Sequence, residues 1–561
     1  MTLIAWQATV QDDEGNVIVN PEVTVRRASD GGLADIFDSE GAALDNPYTG
    51  TSEGFVQFFA QPGKYTVQGA RGGSVTQTWT VDLSSPTGKQ YATRAAFVDD
   101  VAAGYAPAEG TVVTAGGVQY RRDAGAEVLP GLPGWLPFGR LTFRHFSAAC
   151  DGVTNDTSAF IATCEYASED GVMIDGEGAS LLIGGAEIHG CQMQNVTLLH
   201  LTTDTVRTLR STGGKVYWRN VKFDGQTQEV EAFVIRTTEN PVLDNVKVTA
   251  YGTEADPGRP CVIDQDVTGL QIRGGHYYEM WALDMFVIKS SHNTISGVTF
   301  ENRIIPPIGK AIRLGRFSSD TDQISGDQTT ISGCTFYGFG NDTINCELDS
   351  QYVTISACNY EKCRNMVKAD FTGGDDRLVG LIVTGCSIKN PSGIVDSTVR
   401  GVSAVACPNV HVSNCFFDMR NTEIDGAPAP AQYGVIGIGI GTQVTNCTVI
   451  GETQDAIRVG SEGTVSGCNM KDFTHSGVRI DGPEVRVTGN RMNSELAIYG
   501  VNVSGQSKVI VTGNYINVDG TGIRPTSTSE DCLFTGNIIA ATTPIAASGT
   551  GNEEYNNKIL S

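Results

Sequence analysis

Val487-Thr-Gly-Asn-Arg-Met492, Val511-Thr-Gly-Asn-Tyr-Ile516 and Phe534-Thr-Gly-Asn-Ile-Ile539 are three copies of one six-residue phrase. Its order is apolar, polar, Gly or Asn, a small residue, polar, apolar. The phrase recurs upstream as Ile331-Ser-Gly-Cys-Thr-Phe336, Ile355-Ser-Ala-Cys-Asn-Tyr360, Val383-Thr-Gly-Cys-Ser-Ile388, Val412-Ser-Asn-Cys-Phe-Phe417, Val444-Thr-Asn-Cys-Thr-Val449 and Val465-Ser-Gly-Cys-Asn-Met470. A last copy is Glu554-Tyr-Asn-Asn-Lys-Ile559, and weaker ones begin at Met193, Trp218, Leu243, Ile272 and Ile295. The fourth positions fall at 196, 221, 246, 275, 298, 334, 358, 386, 415, 447, 468, 490, 514, 537 and 557, at intervals of 20 to 36 residues. Short alternating strands repeated at that period are the signature of a β-helix, a solenoid whose coils stack at about 4.8 Å.

Each position of the phrase has a physical reading. Gly or Asn at the third place suits a left-handed backbone bend between two strands. The fourth place points into a narrow interior and runs through Cys334, Cys358, Cys386, Cys415, Cys447 and Cys468, then Asn490, Asn514, Asn537 and Asn557. Stacked in register, the cysteines form a column of small buried hydrophobes and the asparagines an amide ladder; both are structural. A following strand is also recognisable, as in Ala456-Ile-Arg-Val-Gly460 and Gly477-Val-Arg-Ile-Asp481. Its middle residue faces outward, which predicts an outer column of Arg313, Asn345, Lys368, Arg458, Arg479, Asn502 and Arg524.

Composition narrows the function. The chain has 561 residues and a formal net charge of −24, from 39 basic and 63 acidic side chains. Nucleic acid and anionic membranes would be repelled, so neither is expected as a partner. The first residues carry neither a basic nor a long apolar segment, so no secretory signal is expected. Fourteen cysteines without a CxxC pair argue against zinc ribbons and disulfide scaffolds, and predict synthesis in a reducing cytoplasm.

Ahead of the repeat, residues 1–84 alternate like a small β-sandwich, and residues 85–140 read as a Gly/Pro-rich, semi-rigid neck with a helix somewhere in Tyr91–Gly104. Residues 141–170 read as a capping segment. In it Asp156 or Thr157 starts a helix that runs to about Ala167 and covers the open end of a solenoid spanning 171–561.

Phe146, Asp151-Gly152 and Asn155-Asp156-Thr157, followed by Ala159-Phe160, resemble the opening motif of pectate-lyase-like right-handed parallel β-helix proteins. Gly110–Tyr120 through Leu132-Pro-Gly-Trp135 is similar to the necks of bacteriophage tailspikes and tail fibres. Asn46-Pro47, Gly54-Phe55 and Pro62-Gly-Lys-Tyr65 look like a virion-anchoring domain. The resemblance implies an all-β homotrimer on the virion, attached to phage tail or baseplate proteins through its N-terminal region and adsorbing to host surface polysaccharide. The same scaffold also serves polysaccharide depolymerases, hydrolase or lyase, so cleavage stays open. No cofactor is implied.

The familiar catalytic phrases HExxH, GxSxG and GxxxxGK[ST] are absent, and the seven histidines lack metal-ligand spacing. Glycan cleavage needs two carboxylates across a groove. The segment His276–Asp284 offers Glu279 and Asp284 as acids, with Tyr277, Tyr278 and Trp281 as stacking faces. The segment Asn341–Asp349 offers Asp342 and Glu347. Arg313, Lys368, Arg458 and Arg479 of the outer column are candidate contacts for an acidic polysaccharide. Because Glu347, Asp370 and Asp481 stand beside that column, pairing of surface charges is the competing expectation.

Overall fold

The computed structural model describes all residues other than 1–3, 13–16, 39–40, 62, 84–88, 127–128, 203–206, 229–230, 252–260, 265, 279–284, 288–289, 303–309, 316–327, 347–350, 370–378, 394–397, 406, 425–426, 430, 547 and 561. The chain divides into two compact units, Met1–Gly139 and Arg140–Ser561. No helix among the described residues is long and apolar enough to cross a membrane.

The first unit is built from three four-stranded sheets. In one, Ile4–Thr9 pairs antiparallel with Phe55–Ala60; in another, Glu22–Arg27, Gly63–Arg71 and Ser74–Leu83 run antiparallel. Alternation sends Val23, Val25 and Val67 of the latter and Val56 and Phe58 of the former into one buried cluster. The third sheet lies within the segment read from sequence as a Gly/Pro-rich neck. Residues 85–140 carry the helix Arg94–Ala102 and the strands Gln90–Tyr91, Val112–Ala115, Val118–Arg122 and Trp135–Phe138. Phe97 is fully buried there, with ring centroids 5.4 Å from Tyr120 and 4.9 Å from Trp135. Those three aromatics give the segment a core of its own, which its Gly/Pro content concealed.

The second unit is a parallel β-helix. A complete coil supplies one strand to each of three faces, for example Thr330–Ser332, Thr335–Tyr337 and Asp342–Cys346. Strands of the first two faces join in a 31-stranded sheet, and those of the third form a 15-stranded sheet. Pairing between coils is parallel and in the expected register: Ile331, Ile355, Val383, Val412, Val444, Val465, Val487, Val511 and Phe534 face one another in sequence.

The bend between the first and second faces is left-handed in every copy of the phrase. The third positions 195, 220, 245, 274, 297, 333, 357, 385, 414, 446, 467, 489, 513, 536 and 556 all have φ between 50° and 64°. Fourteen are Gly or Asn, and one is Ala357. A second left-handed corner precedes the first face, at Asn409, Gly441, Glu462, Glu484, Lys508 and Asp531 among others. The sequence did not announce it, because its occupants share no chemistry.

The interior columns form as expected. The carbonyls of Cys334, Cys358, Cys386, Cys415, Cys447 and Cys468 each accept from the N–H just after the next ladder residue, so successive cysteines lie over one another. All 14 cysteines are free thiols. Hydrogen bonding to the neighbouring thiol, together with burial, holds Cys334 and Cys468 well above the ordinary thiol range. In the asparagine ladder Asn490 Nδ2 donates to Asn514 Oδ1 at 2.9 Å, Asn514 Nδ2 to Asn537 Oδ1 at 3.0 Å and Asn537 Nδ2 to Asn557 Oδ1 at 3.0 Å. Each Nδ2 of Asn490, Asn514 and Asn537 also donates to a backbone carbonyl of the preceding coil, so no amide in the column is left unsatisfied.

The helix Thr157–Asp170 covers the first coil with Phe160 fully buried and stacked on Phe143, centroids 5.4 Å apart. Asp156 stands at the N-cap but makes no side-chain cap bond. Its carboxylate instead accepts from the N–H groups of Ala149 (2.7 Å) and Cys150 (3.1 Å), tying the chain just ahead of the motif to the helix start.

Candidate functional site

The residue that follows the sixth place of the phrase points outward on the second face. Register aligns these residues into one row: Tyr278, Glu301, Tyr337, Glu361, Lys389 and Asp418. Aromatic and acidic side chains therefore alternate along four successive coils. His276 lies beside the row, its ring stacked on Tyr278 with centroids 4.4 Å apart, and its Nε2 is 3.0 Å from Glu301 Oε2. Glu301 is thereby oriented while its side chain stays 15% exposed. The Lys362 ammonium sits 5.7 Å from the Tyr337 ring centre, and hydrogen bonding to Tyr337 holds it above the usual lysine value.

Lys362 also lines the open pocket into which the row leads. This hollow of about 570 Å³ is bounded by Asn390, Arg420, Asn421, Glu423 and Glu452 among others. One wall comes from the short hairpin formed by Glu423–Ile424 and Ala427–Pro428. Asp418, at the end of the row, accepts a two-pronged bond from Arg420 at 2.8 and 2.6 Å, which pulls its carboxyl below the usual range. Row and pocket form one strip that offers ring faces, amides and carboxylates, the complement needed to hold a chain of sugars. Glu301 and Glu361 are two coils apart, roughly 10 Å at the backbone. An acid and a water-activating base that flank a glycosidic bond stand about 6.5–9.5 Å apart, of the same order as this spacing.

The residues singled out from sequence divide into three groups. Glu279, Trp281, Asp284 and Glu347 lie outside the described residues. Tyr278 belongs to the strip. Tyr277 is corrected: it is wholly buried and stacked on Phe300 at 5.3 Å, in a core pile that continues through Phe336 and Tyr360. Neighbours in sequence on a strand face opposite ways, so only one of the two tyrosines can meet a ligand. Asp342 is likewise 2% exposed, accepting from Asn365 Nδ2 at 2.7 Å with Lys368 Nζ at 3.3 Å, an arrangement that fixes the third face and leaves no open carboxylate.

The column of the third face is in register, from Arg313 through Asn345, Lys368, Ser403, Ile436, Arg458, Arg479 and Asn502 to Arg524, but Asn345, Ser403, Ile436 and Asn502 are buried, so the expectation of a wholly outward column is corrected there. Its cations are largely committed to neighbours. Lys368 pairs with Asp342; Arg458 bonds Asp481 and lies over Tyr433; Arg479 bonds Asp481 at 3.1 Å and is 3.8 Å from Asp455. Pairing, the competing expectation, describes these three better than a free polyanion site. Glu301, Tyr337 and Glu361 were missed by sequence reasoning. The signal was there, one place beyond the phrase, where the apolar rule stops applying. Among the described residues no group of three or more His, Cys, Asp or Glu side chains is placed to hold a metal ion.

No protein-family model matches the sequence, and no curated protein matches it. Solved structures similar to the chain include an enzyme with a tailspike-like parallel β-helix and phage tailspikes. The glycan biofilm modifying enzyme WceF of Pantoea stewartii, with a tailspike-like parallel β-helix, is 13% identical with a TM-score of 0.37; the match covers 74% of this chain and 62% of that one, less than two thirds of its length. A mutant tailspike protein of E. coli bacteriophage HK620 is 12% identical with a TM-score of 0.35, covering 74% and 78%. Tailspike protein 3 of bacteriophage CBA120 is 11% identical with a TM-score of 0.31, covering 96% and 88%. At such identities the likeness concerns the fold.

Proposed function

We propose that the chain is a bacteriophage tailspike or tail-fibre protein that mediates adsorption by binding a host cell-surface glycan along the second face. The observation that carries this reading is the continuous strip from Tyr278 to Glu452, where rings and carboxylates alternate at the coil spacing and open into a pocket. An extended polymer lying along the solenoid would meet a repeated set of contacts. In a homotrimer those contacts would be multiplied, so weak single contacts suffice for attachment. The acidic surface supports a partner that is neither nucleic acid nor membrane. The N-terminal unit is the segment we assign to tail or baseplate attachment, which places the protein on the virion after synthesis in the host cytoplasm.

A second reading, endo-acting depolymerisation as hydrolase or lyase on the same scaffold, is favoured by the position of Glu301 and Glu361 on either side of Tyr337 in the row. The purified protein incubated with host surface polysaccharide tests both. Retention of the polymer that drops at least about tenfold on Tyr337→Ala supports the strip as the binding surface. New reducing ends that disappear with Glu301→Gln or Glu361→Gln identify a hydrolase, and unsaturated ends a lyase. Glu279→Gln and Glu347→Gln extend the test to the carboxylates proposed from sequence. Binding without either product leaves an adhesin; the absence of binding refutes the strip.

A further inference from the structure

The first face carries an aromatic that the fold does not need. Tyr352 occupies the second left-handed corner, with φ of 52°, where other coils place residues such as Asn409, Gly441, Lys508 and Asp531. A bulky ring is a costly occupant of that conformation. The residue is nevertheless 58% exposed, so it contributes little to the interior. Its ring edge rests over Gly380 of the next coil: a Cβ at that position would lie 3.2 Å from Tyr352 Cδ1. Glycine at 380 thus leaves room for the ring to settle on the backbone, and more than half of the residue stays exposed.

Beside the ring lies a groove of about 240 Å³. Its floor is the outward column Thr354, Ile382, His411 and Gln443, one residue per coil in unbroken register, with Ile382 42% exposed and Asn409 at the rim. Among the described residues that line it there is no Asp, Glu, Lys or Arg. The volume is below the range of roughly 300–1,000 Å³ typical of drug-sized ligands, which suits one or two sugar rings. An aromatic platform, an aliphatic floor and a border of hydroxyl, amide and imidazole groups match the apolar face and hydroxyl rim of an uncharged sugar.

We infer that this groove is a second saccharide site, on a different face from the strip, which takes an uncharged sugar unit stacked on Tyr352. The inference rests on the glycan reading above and adds to it both a location and a substrate class: the polymer contains neutral residues, and the protein holds it at more than one face. The cost of keeping Tyr352 at a left-handed corner is then the cost of presenting the platform.

Full-length protein applied to an array of defined neutral and uronate-containing bacterial oligosaccharides tests this. Tyr352→Asn suits the corner conformation, so it should melt at or above the wild-type temperature while retention of neutral glycans falls at least about tenfold. Tyr352→Phe, which keeps the ring, should bind as the wild type does. Loss of stability with unchanged binding in Tyr352→Asn overturns the inference, as does retention of uronate-containing glycans only. A change in oligomeric state on Tyr352→Asn with glycan retention intact overturns it too, since the ring would then pack against a second copy of the chain. If Tyr337→Ala abolishes retention and Tyr352→Asn does not, this inference fails alone; if no glycan is retained at all, both readings fail.

Discussion

Ala357 is the single Cβ-bearing residue other than Asn among the fifteen bends that join the first and second faces, and it shares their φ, at 51°. Left-handed backbone costs alanine about 1–2 kcal/mol, while glycine gives back part of that through its freer unfolded chain. Ala357→Gly is therefore expected to stabilise the solenoid by roughly 0.5–1 kcal/mol, read as a higher denaturant midpoint at unchanged slope. The asparagine ladder makes the opposite case. Asn514 Oδ1 accepts from both the backbone N–H and the Nδ2 of Asn490, and its own Nδ2 donates to Val487 O and Asn537 Oδ1. Asn514→Ala strands several buried polar groups at once, so a loss of roughly 2–4 kcal/mol is expected in the same measurement. These two sites also show why some of the fold was legible and some was not. A bend that only Gly and Asn occupy cheaply prints itself in the sequence fourteen times over. The corner before the first face is occupied by residues as different as Asn, Gly, Glu, Lys and Tyr, so it left no common pattern to read.

At the scale of elements, the first coil is secured by a carboxylate rather than by apolar packing alone. Asp175 is almost fully buried and accepts from the Glu177 N–H at 2.9 Å, Gln194 Nε2 at 2.9 Å and Asn195 Nδ2 at 3.3 Å, with Arg140 at 3.3 Å. Burial by itself would raise its pKa, but the hydrogen bonds and the arginine outweigh it and the net shift is downward. A carboxyl with a depressed folded value contributes stability that is complete above its unfolded value, about 3.9, and is lost as the pH falls toward the folded one. Wild type should thus melt above Asp175→Asn near neutrality, and the gap should close as the pH is lowered below about 4. A gap that persists into acid would mean that packing, not charge, holds the coil. The candidate strip belongs to this scale as well. The row Tyr278, Glu301, Tyr337 and Glu361 exists only because four coils are in register, and register follows from the apolar phrase. The scaffold of the site was therefore readable before its residues were. Tyr277 and Tyr278 differ only in parity, and a one-residue error in facing moves a side chain from the core to the strip. Glu279, Trp281, Asp284 and Glu347 lie outside the copies of the phrase, so no facing could be read for them from sequence.

At the scale of the molecule, a solenoid ties each coil mainly to its neighbours, so its stability accumulates from local interfaces and does not depend on one central core. The unit Arg140–Ser561 contains its own covering helix, with Phe160 closing the first coil, and its described strands pair from coil to coil. Residues 1–139 bury separate clusters, around Phe58 and Val67 and around Phe97 and Trp135. Two units with separate interiors imply separable roles, and the prediction follows directly. A chain beginning at Arg140 should fold cooperatively, with the β-rich circular dichroism of the full protein, and should retain glycan with affinity per chain close to wild type. The same deletion introduced into a phage that carries this protein should yield particles lacking it, because the attachment assigned to the N-terminal unit is gone. Incorporation that survives the deletion would refute that assignment and place the attachment on the solenoid. Loss of glycan retention in a well-folded Arg140–Ser561 chain would instead move the binding surface to the first unit, and the strip from Tyr278 to Glu452 would then be a surface without a ligand.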